Sequence, residues 1–156
     1  MNSNIKEGRK DRVKKDSLAL KKTKVTLSPE ELARKMAQLA LDKKAHDLVI
    51  LDVRGLASYA DYILIASARS ARHVQGVADA IEEELYREKV EPLGIEGKTE
   101  GQWVLMDYGD VVLHLFFEPV REVYDLEGLW MDAPRIEPES WGLTLPEPTQ
   151  EDVEEY

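Results

Sequence analysis

The chain has no cysteine among its 156 residues, which excludes disulfide bonds, thiolate metal sites and thiol nucleophiles. It also has no apolar run that approaches the roughly 20 residues of a membrane span, and no apolar signal segment follows the N-terminus. We therefore expect an intracellular, cytoplasmic protein that does not bind membranes. The length suits one domain of ordinary size.

Recognisable catalytic motifs are missing as well. The sequence contains no G-x-S-x-G elbow, Walker loop, H-E-x-x-H pair or dinucleotide fingerprint, and its glycines do not cluster into a phosphate cradle. Its histidines fall in separate predicted elements without the spacing of metal ligands: His46, His73 and His114. The sequence therefore predicts no cofactor, no metal site and no catalytic residue.

Carboxylates are the one group that could support metal-dependent chemistry. Four aspartates lie in or beside predicted strands and could converge at one end of a sheet: Asp52, Asp61, Asp107 and Asp110. A Mg²⁺ site would need at least two of them within coordination reach. None of them forms the D-x-D pair that places two carboxylates on one strand face, and strand-end aspartates commonly cap turns. A metal-dependent nucleotidyltransferase-like enzyme is therefore kept as the alternative function.

Charge is distributed unevenly along the chain. Residues 1–27 hold nine basic and three acidic residues, so this arm carries +6 while the whole chain carries −10 and the remainder −16. An acidic body repels phosphate backbones and attracts basic partners. We therefore do not expect the folded part to bind nucleic acid by itself, although contact between the basic arm and rRNA stays open.

Between two terminal segments, the sequence predicts a series of helices and strands. Residues 1–27 read as a flexible basic arm and residues 137–156 as a disordered acidic tail, in which Trp141 and Leu143 are candidate weak anchors. Residues 28–136 read α-β-β-α-β-β-β-α, beginning with a capping box at Ser28. This order predicts an α/β (α+β) domain with a mixed sheet of about five strands flanked by helices.

The last predicted helix follows Pro119. Its inner stripe is formed by apolar residues at helical spacing: Val123, Leu126 and Trp130.

A predicted hairpin is the most informative local feature. Residues 103–107 and 111–117 flank a Tyr-Gly-Asp segment, in which the two-residue turn is either Gly109-Asp110 or Tyr108-Gly109. Both registers divide the side chains between two faces in the same way. One face is apolar apart from a phenol and contains Val104, Met106, Tyr108, Val111, Leu113 and Leu115. The other contains Trp103, Leu105, Asp107, Val112, His114 and Phe116. Two interpretations of this second face stay open: a helix covers it while Asp107 pairs diagonally with His114, or it is a partly exposed aromatic platform for a protein partner.

At this point an ordered set of short motifs becomes recognisable. Its first half comprises Asp52-Val-Arg-Gly-Leu-Ala-Ser58, Ala60-Asp61-Tyr62, Ile65-Ala-Ser67, Ser70-Ala-Arg-His-Val74 and Ala78-Asp79. The second half comprises Pro92-Leu93, Glu96-Gly97, Trp103 to Val112, His114, Tyr124-Asp-Leu-Glu127, Leu129-Trp130 and Asp132-Ala-Pro134. Together they closely resemble the ribosomal silencing factor family, also called the Iojap family, over about residues 30–136.

The resemblance implies a nucleotidyltransferase-like fold without transferase activity. It also implies binding to large-subunit ribosomal protein fourteen, where the two ribosomal subunits meet. The bound factor would block subunit joining and lower translation in nutrient shortage, and a role in large-subunit biogenesis and a homodimer of the free protein stay open. The partner-binding residues are expected on the matched strand and turn: Trp103, Met106, Asp107, Tyr108, Gly109 and Asp110.

Overall fold

The structure is a computed structural model that describes residues 26–146. Most of the predicted basic arm and the end of the predicted acidic tail lie outside these residues. The described helices are α1 (Pro29–Asp42), α2 (Ala71–Arg87), α3 (Glu118–Tyr124) and α4 (Leu126–Leu129). The strands are β1 (His46–Asp52), β2 (Tyr62–Ala68), β3 (Gly94–Glu96), β4 (Trp103–Asp107), β5 (Val111–Phe117) and β6 (Arg135–Ile136).

The strands form one mixed sheet in the order β3-β4-β5-β2-β1-β6. Strands β2 and β5 run parallel, and the other neighbouring pairs described run antiparallel. Every residue of β2 is buried, as expected for a central strand whose sequence is almost continuously apolar. The predicted fold class, a mixed sheet flanked by helices, is confirmed, although the sheet has six strands rather than about five.

The two faces of the sheet are covered differently. Helices α1 and α2 pack on one face, where their apolar stripes join the larger core cluster. The predicted capping box opens α1, because Ser28 Oγ accepts from the Glu31 N–H and Glu31 Oε1 accepts from the Ser28 N–H. The second face carries a smaller cluster with fewer buried residues, packed by α3, α4 and the loops beside them. The second face is therefore covered less completely than the first.

The C-terminal segment differs from the prediction. Disorder from residue 137 onward is wrong for residues 137–146, because residues 138–141 form a 3₁₀ helix. Trp141 is only 8% exposed, and its ring packs edge-on against Tyr62 with the Arg34 guanidinium 5.5 Å from its centroid. Trp141 therefore belongs to the core, and Leu143 packs beside it.

The predicted last helix is two short helices. Asp125 adopts a left-handed conformation (φ 44°) between α3 and α4, which ends the first helix and turns the chain. Val123 is 79% exposed, so its predicted place on an inner stripe is wrong, whereas Leu126 and Trp130 do pack against the second face. Among residues 26–146, the chain forms no helix with the length and apolar character needed to cross a membrane.

Candidate protein-binding surface on the sheet

The hairpin forms with the predicted strands, and its turn is one of the two predicted alternatives. Trp103 pairs with Phe116 and Asp107 with Val112, and the Tyr108 N–H donates to the Val111 carbonyl at 2.9 Å. Gly109 and Asp110 therefore form a two-residue turn. Gly109 has φ +89°, the left-handed backbone that a tight hairpin turn requires at this position.

The six residues predicted to bind a partner do not share one face. Trp103 and Asp107 lie on the second face and are partly exposed, and Asp110 is exposed at the turn. Met106 is fully buried beneath the helices of the first face, and the Tyr108 side chain is buried there too. Burial raises the pKa of Tyr108 to about 12. The side chains of Met106 and Tyr108 are therefore not available to a partner on the Trp103 side of the sheet, and Gly109 offers no side chain.

A strip of partly exposed side chains runs along the second face. Trp103, Leu105 and Asp107 alternate along β4 and point to this face, each with part of its surface in solvent. Tyr124 at the end of α3 extends the strip at one end, with its ring centroid 4.6 Å from that of Trp103. Tyr59 extends it at the other end. We call these five residues the Trp103 surface.

Trp103 is held from several sides. Its ring stacks on Phe116 at 5.0 Å between centroids, and its indole N–H donates to His114 Nδ1 at 3.0 Å. At the backbone, Gly97 approaches Trp103 closely, since it has φ +84° and a Cβ at that position would lie 2.0 Å from the Trp103 carbonyl oxygen. The indole is therefore presented in a defined orientation while part of it remains exposed.

The two interpretations of this face can now be compared with the contacts. Asp107 and His114 do not pair, because Asp107 Oδ1 accepts from the Gly109 N–H and His114 Nδ1 accepts from Trp103. The proposed diagonal pair is wrong. Helix α3 covers only part of the face, since Trp103, Leu105 and Asp107 keep exposed surface. The arrangement matches a partly exposed aromatic platform.

The four strand-end aspartates do converge at one end of the sheet. Asp52 pairs with Tyr62 across β1 and β2, and the Asp61 N–H donates to the Asp110 carbonyl at 2.7 Å. Burial and the neighbouring carboxylates of Asp110 and Asp52 raise the pKa of Asp61. Asp52 is held by Arg54 through two bonds of 2.9 and 2.7 Å, which lower its pKa.

These carboxylates do not form a metal centre in the described part of the chain. Among residues 26–146, no group of three or more His, Asp or Glu side chains is arranged to hold a metal ion. What the arrangement provides is an acidic end of the sheet that includes Asp107 and lies near Tyr59.

Two residues of the Trp103 surface were not anticipated from the sequence. Tyr59 is 47% exposed in the loop between β1 and β2, and burial together with the Asp107 carboxylate raises its pKa. Tyr124 is 56% exposed. Tyr124 belongs to a motif that carries the family resemblance and Tyr59 lies between two of them, but nothing in their local spacing indicates that separate loops converge on β4.

Helix α3 is fixed beneath Tyr124 by a buried arginine. Arg121 Nε donates to Glu127 at 2.9 Å, and its Nη1 donates to the Asp47 carbonyl at 2.7 Å and to Ser67 Oγ at 2.8 Å. The Arg121 guanidinium lowers the pKa of Glu127 in turn. These bonds tie α3 to α4, β1 and β2, and so position one end of the Trp103 surface.

Comparison with known proteins agrees with the resemblance. A family profile described as "Ribosomal silencing factor during starvation" matches residues 26–155. A ribosomal silencing factor from Halalkalibacterium halodurans is 37% identical over 111 residues, 71% of this chain and 95% of that protein. The mouse protein named mitochondrial assembly of ribosomal large subunit protein 1 is 31% identical over 99 residues, 61% of this chain and 43% of that protein. A crystal structure from Chromobacterium violaceum superposes with a TM-score of 0.64 at 30% identity, covering 78% of this chain and 92% of the other.

Proposed function

Because this chain belongs to the ribosomal silencing factor family, we propose that it represses translation by binding large-subunit ribosomal protein fourteen. The bound protein would occupy the face of the large subunit that meets the small subunit, and so block their association when nutrients are short. We also propose that it acts in the cytoplasm, where the ribosomes of its bacterial relatives lie. The observation that carries the proposal is the Trp103 surface, an open aromatic strip beside an acidic end of the sheet.

The aromatic part of the surface has the properties of a binding hot spot. Trp and Tyr are enriched among residues that dominate interface energies, and truncating a central one typically costs about 2 kcal/mol or more. Trp103 is already ordered by Phe116 and His114 before any partner binds. A side chain that is fixed in advance loses little conformational entropy on binding, which favours affinity.

The acidic end of the sheet supports a basic partner. Asp110 is exposed at the turn and Asp107 is partly exposed, so both can attract a protein that carries the positive charge needed to pack against rRNA. Charges at the rim of an interface act mainly on the association rate and on its salt dependence. We therefore assign anchoring to the aromatic residues and steering to the carboxylates.

The proposed mechanism is steric and needs no catalysis. One molecule bound to each large subunit would be sufficient to exclude the small subunit. Inhibition should therefore rise in proportion to the ratio of protein to large subunits and be complete near one to one. Inhibition at far below one copy per ribosome would contradict a steric mechanism.

The contact is tested by measuring the affinity of the purified protein for isolated ribosomal protein fourteen. Trp103→Ala should weaken binding by about thirtyfold or more, which corresponds to about 2 kcal/mol. Tyr86, an exposed aromatic residue on the outer side of α2, supplies the matched control, and Tyr86→Ala should bind like the parent.

A second variant separates contact from folding. Asp110→Lys changes only an exposed turn position, so its melting temperature should stay near that of the parent while its association slows at low salt. If Trp103→Ala and Asp110→Lys both fold and bind like the parent, the Trp103 surface is not the contact.

A role in assembly of the large subunit is a second candidate, favoured by the name of the mouse relative. A protein that binds the subunit-joining face could also act on immature large subunits. Depletion should then cause precursors of the large subunit to accumulate in sedimentation profiles. Normal subunit maturation after depletion would leave only the repressor function.

A further inference from the structure

His114 lies beneath the Trp103 surface and is not part of the partner-binding set predicted from the sequence. It is on β5, next to the central strand β2, and is only 7% exposed. Its Nδ1 accepts the Trp103 indole N–H at 3.0 Å. Its ring also lies near those of Trp103 and Phe116, at 5.9 and 6.4 Å between centroids.

The chemistry of this bond fixes the state of the histidine. An indole N–H can only donate, so Nδ1 must carry a lone pair rather than a proton. His114 is therefore neutral with its proton on Nε2. Burial supports this state, because it lowers the pKa of His114 to about 4. At neutral pH the acceptor is consequently always present.

The hydrogen bond from Trp103 to His114 determines an aspect of the indole orientation that ring stacking leaves open. The Phe116 and Tyr124 rings restrict the plane of the Trp103 ring, but an indole turned over within that plane would keep much of the same apolar contact. Only the hydrogen bond specifies which edge faces the sheet, and the opposite edge is then the one available to solvent. A turned indole would leave the His114 acceptor unpaired in a buried position, which is costly.

We infer that His114 is a positioning residue, which holds the Trp103 indole in the single orientation that the partner meets. This inference rests on the proposed function for its consequence in binding. The orientation of the indole itself can be measured on the free protein.

Three substitutions distinguish acceptance of this hydrogen bond from simple filling of space. In His114→Asn, the side-chain oxygen can occupy nearly the position of Nδ1 and accept from the indole. His114→Leu fills much of the volume but accepts nothing. His114→Gln is polar but places its oxygen farther from the backbone, so it serves as the second non-matching variant if His114→Leu fails to fold.

The first readout is hydrogen exchange of the Trp103 indole N–H by nuclear magnetic resonance, with the signal assigned through Trp103→Phe. The parent and His114→Asn should show slow exchange at this group. His114→Leu and His114→Gln should exchange about threefold to tenfold faster, the range set by one hydrogen bond of about 0.5–1.5 kcal/mol. Equal exchange rates in all folded variants would overturn the inference.

The second readout is a double-mutant cycle for affinity to ribosomal protein fourteen. His114→Leu should weaken binding about threefold to tenfold in the parent and have no further effect in the Trp103→Phe background, because the indole donor is already gone. An equal loss in both backgrounds would mean that His114 acts only through general packing, and would overturn the inference.

An error in the proposed function would be recognised in the binding measurement rather than in the exchange measurement. If the parent does not bind ribosomal protein fourteen at all, that proposal is wrong. The exchange measurement then decides alone whether His114 holds the indole.

Discussion

Replacement of Arg121 by methionine should loosen the end of the Trp103 surface and destabilise the fold. Arg121 is 9% exposed and bonds to Glu127, to Ser67 and to the Asp47 carbonyl. Methionine retains the apolar part of the side chain but leaves these three groups without their donor. Removing one partner of a buried ion pair typically costs about 3–5 kcal/mol, and we expect the lower end, about 3 kcal/mol, because the Glu127 side chain is 24% exposed and Arg135 lies 3.9 Å from it.

The magnitude can be read from thermal unfolding. At about 4 °C for each kcal/mol in a domain of this size, the melting temperature of Arg121→Met should fall by about 12 °C. Arg121→Met combined with Glu127→Leu removes both charges and should recover part of this loss, since replacing a whole buried pair with apolar residues is often neutral. Equal stability of Arg121→Met and the parent would refute the view that this network holds α3 in place.

The Arg121–Glu127 ion pair predicts that the free energy of unfolding depends on pH. Arg121 lowers the pKa of Glu127 in the folded protein below its ordinary value of 4.5. The unfolded chain therefore binds a proton at this carboxylate at a higher pH than the folded chain does. The stability contributed by the pair is complete above about pH 4.5 and is lost as the pH falls through the lowered folded value. In Arg121→Met this part of the acid destabilisation should disappear, as measured by urea unfolding from pH 6 to pH 3.

Three further predictions concern the core and its titration. Gly97→Ala should cost at least about 2 kcal/mol in urea unfolding, because the residue has φ +84° and its Cβ would clash with the Trp103 carbonyl; unchanged stability would contradict the close approach. Trp141→Ala should cost about 3–5 kcal/mol, whereas a mobile tail would lose nothing. His114 has a folded pKa of about 4 against an ordinary 6.5, so the unfolded state binds more protons between these values and stability falls as the pH decreases from 6.5 to 4. His114→Asn should remove this component, and an identical pH profile for the two proteins would contradict burial of the neutral ring.

Local pattern was sufficient to predict the hairpin. Alternation of side chains from 103 to 117 around a Tyr-Gly-Asp segment predicts the two strands and their two faces, because a strand has a period of two. It leaves two possible turns, and the pairing of Asp107 with Val112 selects Gly109-Asp110. The capping box at Ser28 is equally local, since its two hydrogen bonds join residues three apart. Both features form as predicted.

Contacts between distant segments were beyond this kind of inference. Trp141 reaches Tyr62 and Arg34 across most of the chain, and an acidic, proline-containing segment gives no periodicity from which to predict burial. Strand β6 has only two residues, which is too short for a recognisable pattern. The break at Asp125 was missed because apolar residues continue at helical spacing past it, although the backbone there turns left-handed.

In the candidate site, too, local pattern predicted some features correctly, whereas features that depend on distant segments were missed. Alternation on β4 identified Trp103 and Asp107 correctly as members of the second face, but treating the turn as one contact segment grouped them with Met106 and Tyr108, whose side chains point to the helices. The parts of the Trp103 surface that come from other segments, Tyr59 and Tyr124, depend on how the loop after β1 and helix α3 return to the sheet. That return is a property of tertiary packing and leaves no local signal.

Sedimentation with purified ribosomal subunits tests the central claim most directly. The full chain is mixed with large subunits, with and without small subunits, and the gradient is analysed for joined ribosomes and for the bound protein. The account predicts one copy on each free large subunit and fewer joined ribosomes in proportion to that occupancy. Both effects should require a concentration about thirtyfold higher in Trp103→Ala and be unchanged in Tyr86→Ala. Binding of the protein to joined ribosomes without displacement of the small subunit would contradict it.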